Sequence, residues 1–204
     1  MHPTHIVEHG QPPEKASKAL ILLHGRGGTA LNMMNLAHEF CDDSFYIAAP
    51  QAAHNSWYPN SFMADETSNE PWLSSAVEIV KKLIDQTAKI ISLDKIYLMS
   101  FSQGACLALE VSSRYAAKHG GVVAFTGGLI GRTINKKKYH GNFDRTKVFI
   151  GNSDRDPHVP LTRSEQSKIL MEKLGADVTL KVYQGMAHTI IDDEIIWVNQ
   201  HILK

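Results

Sequence analysis

The stretch YLMSFSQGA places Ser102 between an apolar run and a helix-like pattern, with Ser100 and Gly104 on either side. A serine on a tight strand-to-helix turn holds its Oγ clear of the backbone. It also leaves the N–H of Gln103 at a helix N-terminus, where a negative oxygen is stabilised. That arrangement suits attack on a carbonyl; the plainer alternative is a serine acting only as a helix N-cap. His188, in YQGMAHTIIDD, lies in a glycine-containing loop ahead of a helical pattern; alone it reads as a surface histidine, and in the order Ser102, Asp, His188 it reads as the base such a serine needs. An acid to orient its imidazole is available in GNSDRDPHVP, where Asp154 and Asp156 compete. Pro157 fixes the chain after Asp156, whereas Asp154 sits where turn-forming aspartates usually do. A fourth segment, LLHGRGGT, has glycines at 25, 27 and 28 that let the backbone approach a reacting oxygen. The N–H of Arg26 is its candidate second donor. The loop has neither GxGxxG nor GK[ST], which counts against phosphate binding; its bland reading is a glycine turn held by His24.

Each of these loops follows a short apolar or β-branched run. Strands are predicted at Thr4–Glu8, Ala19–Leu23, Phe45–Ala49, Ile96–Met99, Val122–Thr126, Lys147–Ile150 and Val178–Tyr183. Helices are predicted at Leu31–Phe40, Leu73–Ile91, Gln103–Lys118, Arg163–Leu174 and Asp192–Ile202. Several strands are apolar throughout rather than alternating, which marks a sheet covered on both faces. The expected architecture is α/β: a three-layer α/β/α sandwich around a mostly parallel sheet, with chemistry at the carboxyl ends of the strands. No repeat, linker or composition shift divides the chain, so residues 1–204 are expected to form one domain without a large lid.

Composition narrows the function classes. Lys plus Arg number 21 and Asp plus Glu number 21, so there is no basic excess for nucleic acid. Cys41 and Cys106 form neither a redox nor a metal pattern, and Cys106 in CLALEV reads as a buried free thiol of a reducing compartment. The start, MHPTHIVEHGQPPEK, lacks the features of a signal peptide, and runs such as KALILLHG are too short to span a bilayer. The expectation is a cytoplasmic, soluble protein without stable membrane insertion. Eleven histidines invite a metal reading, but no HExxH or Cys/His set occurs, so no metal or other cofactor is expected.

Taken together, LLHGRGGT, FSQGA, GNSDRDPHVP and GMAHTI resemble the phospholipase/carboxylesterase branch of the α/β hydrolases, which includes acyl-protein thioesterases. The likeness extends over roughly Lys18 to Ile202. It implies Ser102 as nucleophile, His188 as base and Asp156 as the orienting acid, with the N–H groups of Arg26 and Gln103 as the oxyanion hole. It also implies a carboxylesterase, thioesterase or lysophospholipase acting on a small ester or thioester; a catalytically idle fold that binds small molecules is the alternative. A homodimer is left open. Two features depart from the branch: Ser100 and Ala105 stand where it usually has glycine. The aromatic segment 54–73, with Trp57, Tyr58, Phe62, Met63 and Trp72, reads either as cover for the core or as an acyl-site wall; in the second reading Trp57, Tyr58 and Phe62 line the pocket, with Met186 added from the histidine loop. Residues 129–144 follow no recognisable pattern, and Lys136–Lys138 reads as solvated loop.

Overall fold

A computed structural model describes residues 1–203. Strands β1 (Ile6–Gly10), β2 (Lys18–Leu23), β3 (Phe45–Pro50), β4 (Ile96–Phe101), β6 (Gly121–Phe125), β8 (Lys147–Ser153) and β9 (Asp177–Tyr183) form a sheet ordered β1-β3-β2-β4-β6-β8-β9. Only β1 runs antiparallel. Two short strands, β5 (Tyr115–Ala116) and β7 (His140–Gly141), pair with each other outside it. The helices are α1 (Ala30–Ala37), α2 (Trp72–Thr87), α3 (Gln103–Arg114), α4 (Leu161–Lys173) and α5 (Asp192–His201). None of the described helices is long and apolar enough to cross a membrane.

The uniformly apolar strands are explained by the layering. In β2, Ala19, Ile21 and Leu23 point into a core shared with α2, α3 and α4, while Leu20 and Leu22 point into a second core under α1 and α5. All five are fully buried. Each of the four larger side chains contributes roughly 1.5–3 kcal/mol through removal from water. Helix α3 is enclosed on every side, with each residue from Gln103 to Ser113 buried. Its small residues, Gly104, Ala105, Ala108, Ser112 and Ser113, let it lie close against the sheet.

The differences from sequence expectation are local. Strand β1 is shifted two residues toward the C-terminus, because its pairing with β3 begins at Ile6↔Pro50. Helix α3 stops at Arg114 instead of continuing to Lys118, because Tyr115 and Ala116 pair with His140 and Gly141. Helix α2 ends at Thr87, four residues before Ile91. Strand β8 runs on to Ser153, in register with β9 as far as Ser153↔Tyr183.

Segment 129–144, unreadable from sequence, is organised by charge. Glu110 of α3 is fully buried and accepts hydrogen bonds from the Ile130 N–H (3.0 Å) and the Tyr139 hydroxyl (2.9 Å). Arg114 Nε (2.7 Å) and Lys138 Nζ (2.6 Å) neutralise it. Lys138 is therefore no solvated side chain, in contrast to the exposed Lys136 and Lys137 beside it. From α4, Arg163 donates to the carbonyls of Leu129 (2.9 Å) and Gly131 (2.6 Å). Buried carbonyls with no partner in their own segment are thereby satisfied.

Candidate active site

Strand β4 ends at Phe101, and Ser102 adopts φ 54°, ψ −115° before α3 begins. Few non-glycine residues take this conformation, and strain of this kind persists only where the surroundings enforce it. Here the Ser102 N–H donates to Phe125 O of β6 (2.9 Å), and its carbonyl accepts the first helical bond from Cys106 (3.0 Å). Gly104 has no room for a side chain: a Cβ would collide with the carbonyls of Leu23 and His24 at the end of β2. Ser100, where the branch has glycine, is fully buried, and its hydroxyl donates to Val123 O (2.8 Å).

The loop after β2 is locked from behind by His24. Its Nε2 accepts the Ala52 N–H (3.1 Å), so its proton resides on Nδ1 and is donated to Gly25 O (2.7 Å). Burial pushes this imidazole below its ordinary range, which keeps it neutral. Gly25 packs so closely on the elbow that a Cβ would meet Ser102 Cβ at 3.4 Å. Arg26 follows Gly25 in this loop, and Gln103 follows Ser102 as the first residue of α3. Among the described residues no acceptor occupies the backbone N–H of either. Two side chains brace this region. The Arg26 guanidinium donates to Ser56 Oγ (3.0 Å), Pro59 O (2.9 Å) and Asn60 O (2.7 Å). Gln103 accepts the Trp57 N–H (2.9 Å) and donates to Tyr58 O (2.8 Å).

The loops after β8 and β9 bring in the acid and the imidazole. His188 Nε2 lies 2.8 Å from Ser102 Oγ, and His188 Nδ1 lies 2.7 Å from Asp156 Oδ2. The other Asp156 oxygen accepts the N–H groups of His158 (2.8 Å) and Val159 (2.7 Å). Burial alone would raise the Asp156 carboxyl, but the His188 hydrogen bond and these two N–H groups together outweigh it and hold it below the usual carboxylate range. An ionised Asp156 makes Nδ1 the donor and leaves Nε2 free to accept the serine proton. Asp154, the rival acid, instead accepts the Gly185 N–H (2.7 Å) and anchors the histidine loop.

A cavity of about 440 Å³ opens over Ser102 and His188. Tyr58, Phe62, Phe101, Cys106 and Val159 supply its apolar wall. Two expected wall residues are absent from it. Trp57 is fully buried in the core and donates from Nε1 to His24 O (2.8 Å), so it supports the loop rather than the cavity. Met186 is half-buried on the histidine loop and does not line the cavity. Phe101, Cys106 and His158 line it without having been expected there, although His158 is visible in sequence two positions after Asp156. A larger groove, about 520 Å³, lies beside α2 among Lys81, Lys82 and Lys89, with no serine–histidine pair.

A mostly parallel sheet with helices on both faces, and a serine elbow, an acid and a histidine following β4, β8 and β9, defines the α/β-hydrolase fold. Residues 4–204 match the family model described as phospholipase/carboxylesterase, and the chain belongs to that family. It is similar to a phospholipase/carboxylesterase from Dyadobacter fermentans whose crystal structure superposes with a TM-score of 0.97 at 46% identity, covering 100% of this chain and 98% of that one. It is 34% identical over 141 residues to acyl-protein thioesterase 1 of Saccharomyces cerevisiae, covering 68% of this chain and 61% of the yeast protein. The match to a Gibberella zeae protein of the same name spans 48% of that relative, so the chain covers only about half to three-fifths of these curated relatives. The carboxylesterase of Bacillus cereus, 21% identical with a TM-score of 0.76 over 96% of this chain and 91% of that one, shares the fold.

Proposed function

We propose that this protein is a serine hydrolase that cleaves carboxylic esters, thioesters among them, through an acyl-enzyme on Ser102. One domain carries the whole reaction. His188 takes the Ser102 proton as Oγ attacks the substrate carbonyl. Asp156 holds the imidazole tautomer and stabilises the imidazolium that forms. The N–H groups of Arg26 and Gln103 receive the oxyanion, and His188 then returns the proton to the departing alcohol or thiol. In the second half, His188 activates a water that releases the acid.

The observation that carries this reading is the continuous hydrogen-bonded run Asp156–His188–Ser102, with the serine at a strained φ at the mouth of a cavity. The thioester option draws support from the resemblance to yeast acyl-protein thioesterase 1, and the ester option from the Dyadobacter relative. The free, buried Cys106 fits a reducing, cytoplasmic setting. A fluorophosphonate probe should label the wild type and not Ser102→Ala. The same variant should lose several orders of magnitude in turnover of p-nitrophenyl esters and acyl-CoA while remaining folded. Labelling that persists in the variant, for instance at Ser100, would refute the assignment. Comparing esters of graded chain length with acyl-CoA would define the acyl preference.

A further inference from the structure

Residues 55–60 are bonded, one after another, to the two segments that carry the candidate oxyanion donors. Asn55 O accepts the Gly27 N–H (2.7 Å), and Trp57 Nε1 donates to His24 O (2.8 Å). Pro59 O and Asn60 O accept from the Arg26 guanidinium (2.9 and 2.7 Å). The Gln103 carboxamide accepts the Trp57 N–H (2.9 Å) and donates to Tyr58 O (2.8 Å). Of these six, only Ser56 hydrogen-bonds to the side chains of both Arg26 and Gln103 among the described residues. Its Oγ accepts from Arg26 Nη1 (3.0 Å) and from Gln103 Nε2 (3.3 Å), and it donates to Tyr58 O (2.9 Å). A hydroxyl has one proton and two lone pairs, and here all three are used.

We propose that Ser56 is a positioning residue for ester cleavage, its hydroxyl coupling the Arg26 and Gln103 side chains so that their backbone N–H groups keep one alignment. The proposal rests on the reading of those two N–H groups as the oxyanion hole. Arg26 stands between Gly25 and Gly27, and Gly27 takes φ 76°. A peptide flanked by glycines turns easily unless something outside the loop holds it. The guanidinium supplies that hold, and its acceptors all belong to 56–60. Gln103 opens α3, where the first N–H groups have no partner within the helix. Its carboxamide grips the same segment. Hydrogen bonds to an oxyanion weaken as they leave alignment, and donors set in advance cost no reorganisation during the reaction.

The hydroxyl makes no hydrogen bond to Ser102, His188 or Asp156 among the described residues, so it acts through Arg26 and Gln103. Tyr58, Pro59 and Asn60 also line the cavity. The cavity wall and the frame of the oxyanion donors are therefore one piece of chain. Removing the hydroxyl cuts the link without stripping either partner, since Arg26 keeps Pro59 O and Asn60 O and Gln103 keeps Trp57 N–H and Tyr58 O. Ser56 is half-buried and extended, at φ −145° and ψ 128°, a conformation that threonine also adopts readily.

The test is steady-state hydrolysis of a p-nitrophenyl ester by the full-length protein and its Ser56→Ala, Ser56→Thr and Arg26→Lys variants. Ser56→Ala should lose about ten- to fiftyfold in kcat and in kcat/KM alike, with KM within about threefold, as for an interaction made only in the transition state. Deleting a donor outright costs roughly a hundred- to a thousandfold; here both N–H groups remain and only their alignment suffers. Affinity for a trifluoromethyl ketone, which Ser102 converts to an oxyanionic hemiketal, should fall in parallel with kcat/KM. Affinity for the matching methyl ketone, which stays a neutral carbonyl, should hold within about threefold. Ser56→Thr keeps the hydroxyl and should recover most of the loss. Arg26→Lys cannot serve three acceptors at once and should resemble Ser56→Ala, and the double variant should be little worse than the worse single. Should Ser56→Ala fold poorly, Arg26→Lys, on an exposed side chain, carries the same ketone comparison. Wild-type kcat and trifluoromethyl ketone affinity in a folded Ser56→Ala would overturn the proposal. Equal losses for both ketones, or no recovery in Ser56→Thr, would overturn the alignment role, and multiplying losses in the double variant would overturn the coupling. Failure of the serine hydrolase reading shows separately, as a wild type that the fluorophosphonate probe does not label.

Discussion

Glu194 offers a quantitative test of how the histidine loop is held. It is fully buried at the start of α5; Oε2 accepts the Ile191 N–H (3.1 Å), and Oε1, packed against Gly151 of β8, has no hydrogen-bond partner among the described residues. Burial raises its carboxyl from 4.5 to about 7, with the Ile191 N–H opposing and the neighbouring Asp193 adding to the rise. The folded state therefore binds this proton more tightly than the unfolded chain does. The resulting stabilisation is complete below about pH 4.5 and is lost as pH rises through about 7. At 1.36 kcal/mol per unit, the handicap at pH 8 approaches about 3 kcal/mol. Glu194→Gln cannot ionise and should not carry it. Urea denaturation at pH 5, 6, 7 and 8, followed by tryptophan fluorescence, would give the stability difference between the two proteins at each pH. His119, which burial lowers to about 4, erodes stability in acid but does so equally in both and cancels from the difference. Gln should start level with or slightly below Glu at pH 5, where its amide replaces the unpartnered oxygen, and gain about 2–3 kcal/mol relative to Glu by pH 8. A difference independent of pH would show that Glu194 is ionised in the folded protein, and the argument would fail.

The remaining expectations concern the site. Asp156→Asn should lower kcat by about three to four orders of magnitude, because an amide neither sets the tautomer nor stabilises the imidazolium. Asp154→Asn retains an oxygen for the Gly185 N–H and should stay within about tenfold; steady-state ester kinetics decide, and equal losses would move the acid's role. Ser100→Ala and Ser100→Gly should remain within about tenfold of wild-type activity, a barrier change of roughly 1.4 kcal/mol. Ser100→Val should cost about 1–3 kcal/mol of stability by overpacking, measured by thermal or urea unfolding, and a fully stable Val variant would show that the turn is looser than described.

The sheet is legible in sequence because strands covered on both faces have no polar side to hide, as KALILL and FYIAAP show. The chemistry-bearing loops are legible for a related reason: parallel strands align their carboxyl ends, so residues remote in sequence must converge if each follows a strand. What stayed hidden depends on partners that no local pattern encodes. Nothing around Lys138 announces that Glu110, on a helix that otherwise reads as plain core, will draw it inward. Trp57 resembles a substrate-binding aromatic until His24 O is seen to accept its indole N–H. The choice between Asp154 and Asp156 likewise turns on which one faces the imidazole and which one faces the Gly185 N–H, a matter of two residues along one loop.

Those two aspartates have a further consequence. Asp154 holds Gly185 and Asp156 holds His188, so the turns after β8 and β9 are buckled together at two points, three residues apart on one side and two on the other. β8 and β9 are themselves neighbours in the sheet, paired over their full length. Acid and imidazole are therefore aligned with each other by their own two loops, while the serine elbow is set by β2, β4, β6 and α3. The two meet at a seam made by the 2.8 Å contact from Nε2 to Oγ and by the Phe101 ring packed on the His188 imidazole. Insertions or drift in the segments around the cavity other than 55–60 can reshape what the pocket accepts without disturbing either half, provided that the seam keeps its spacing.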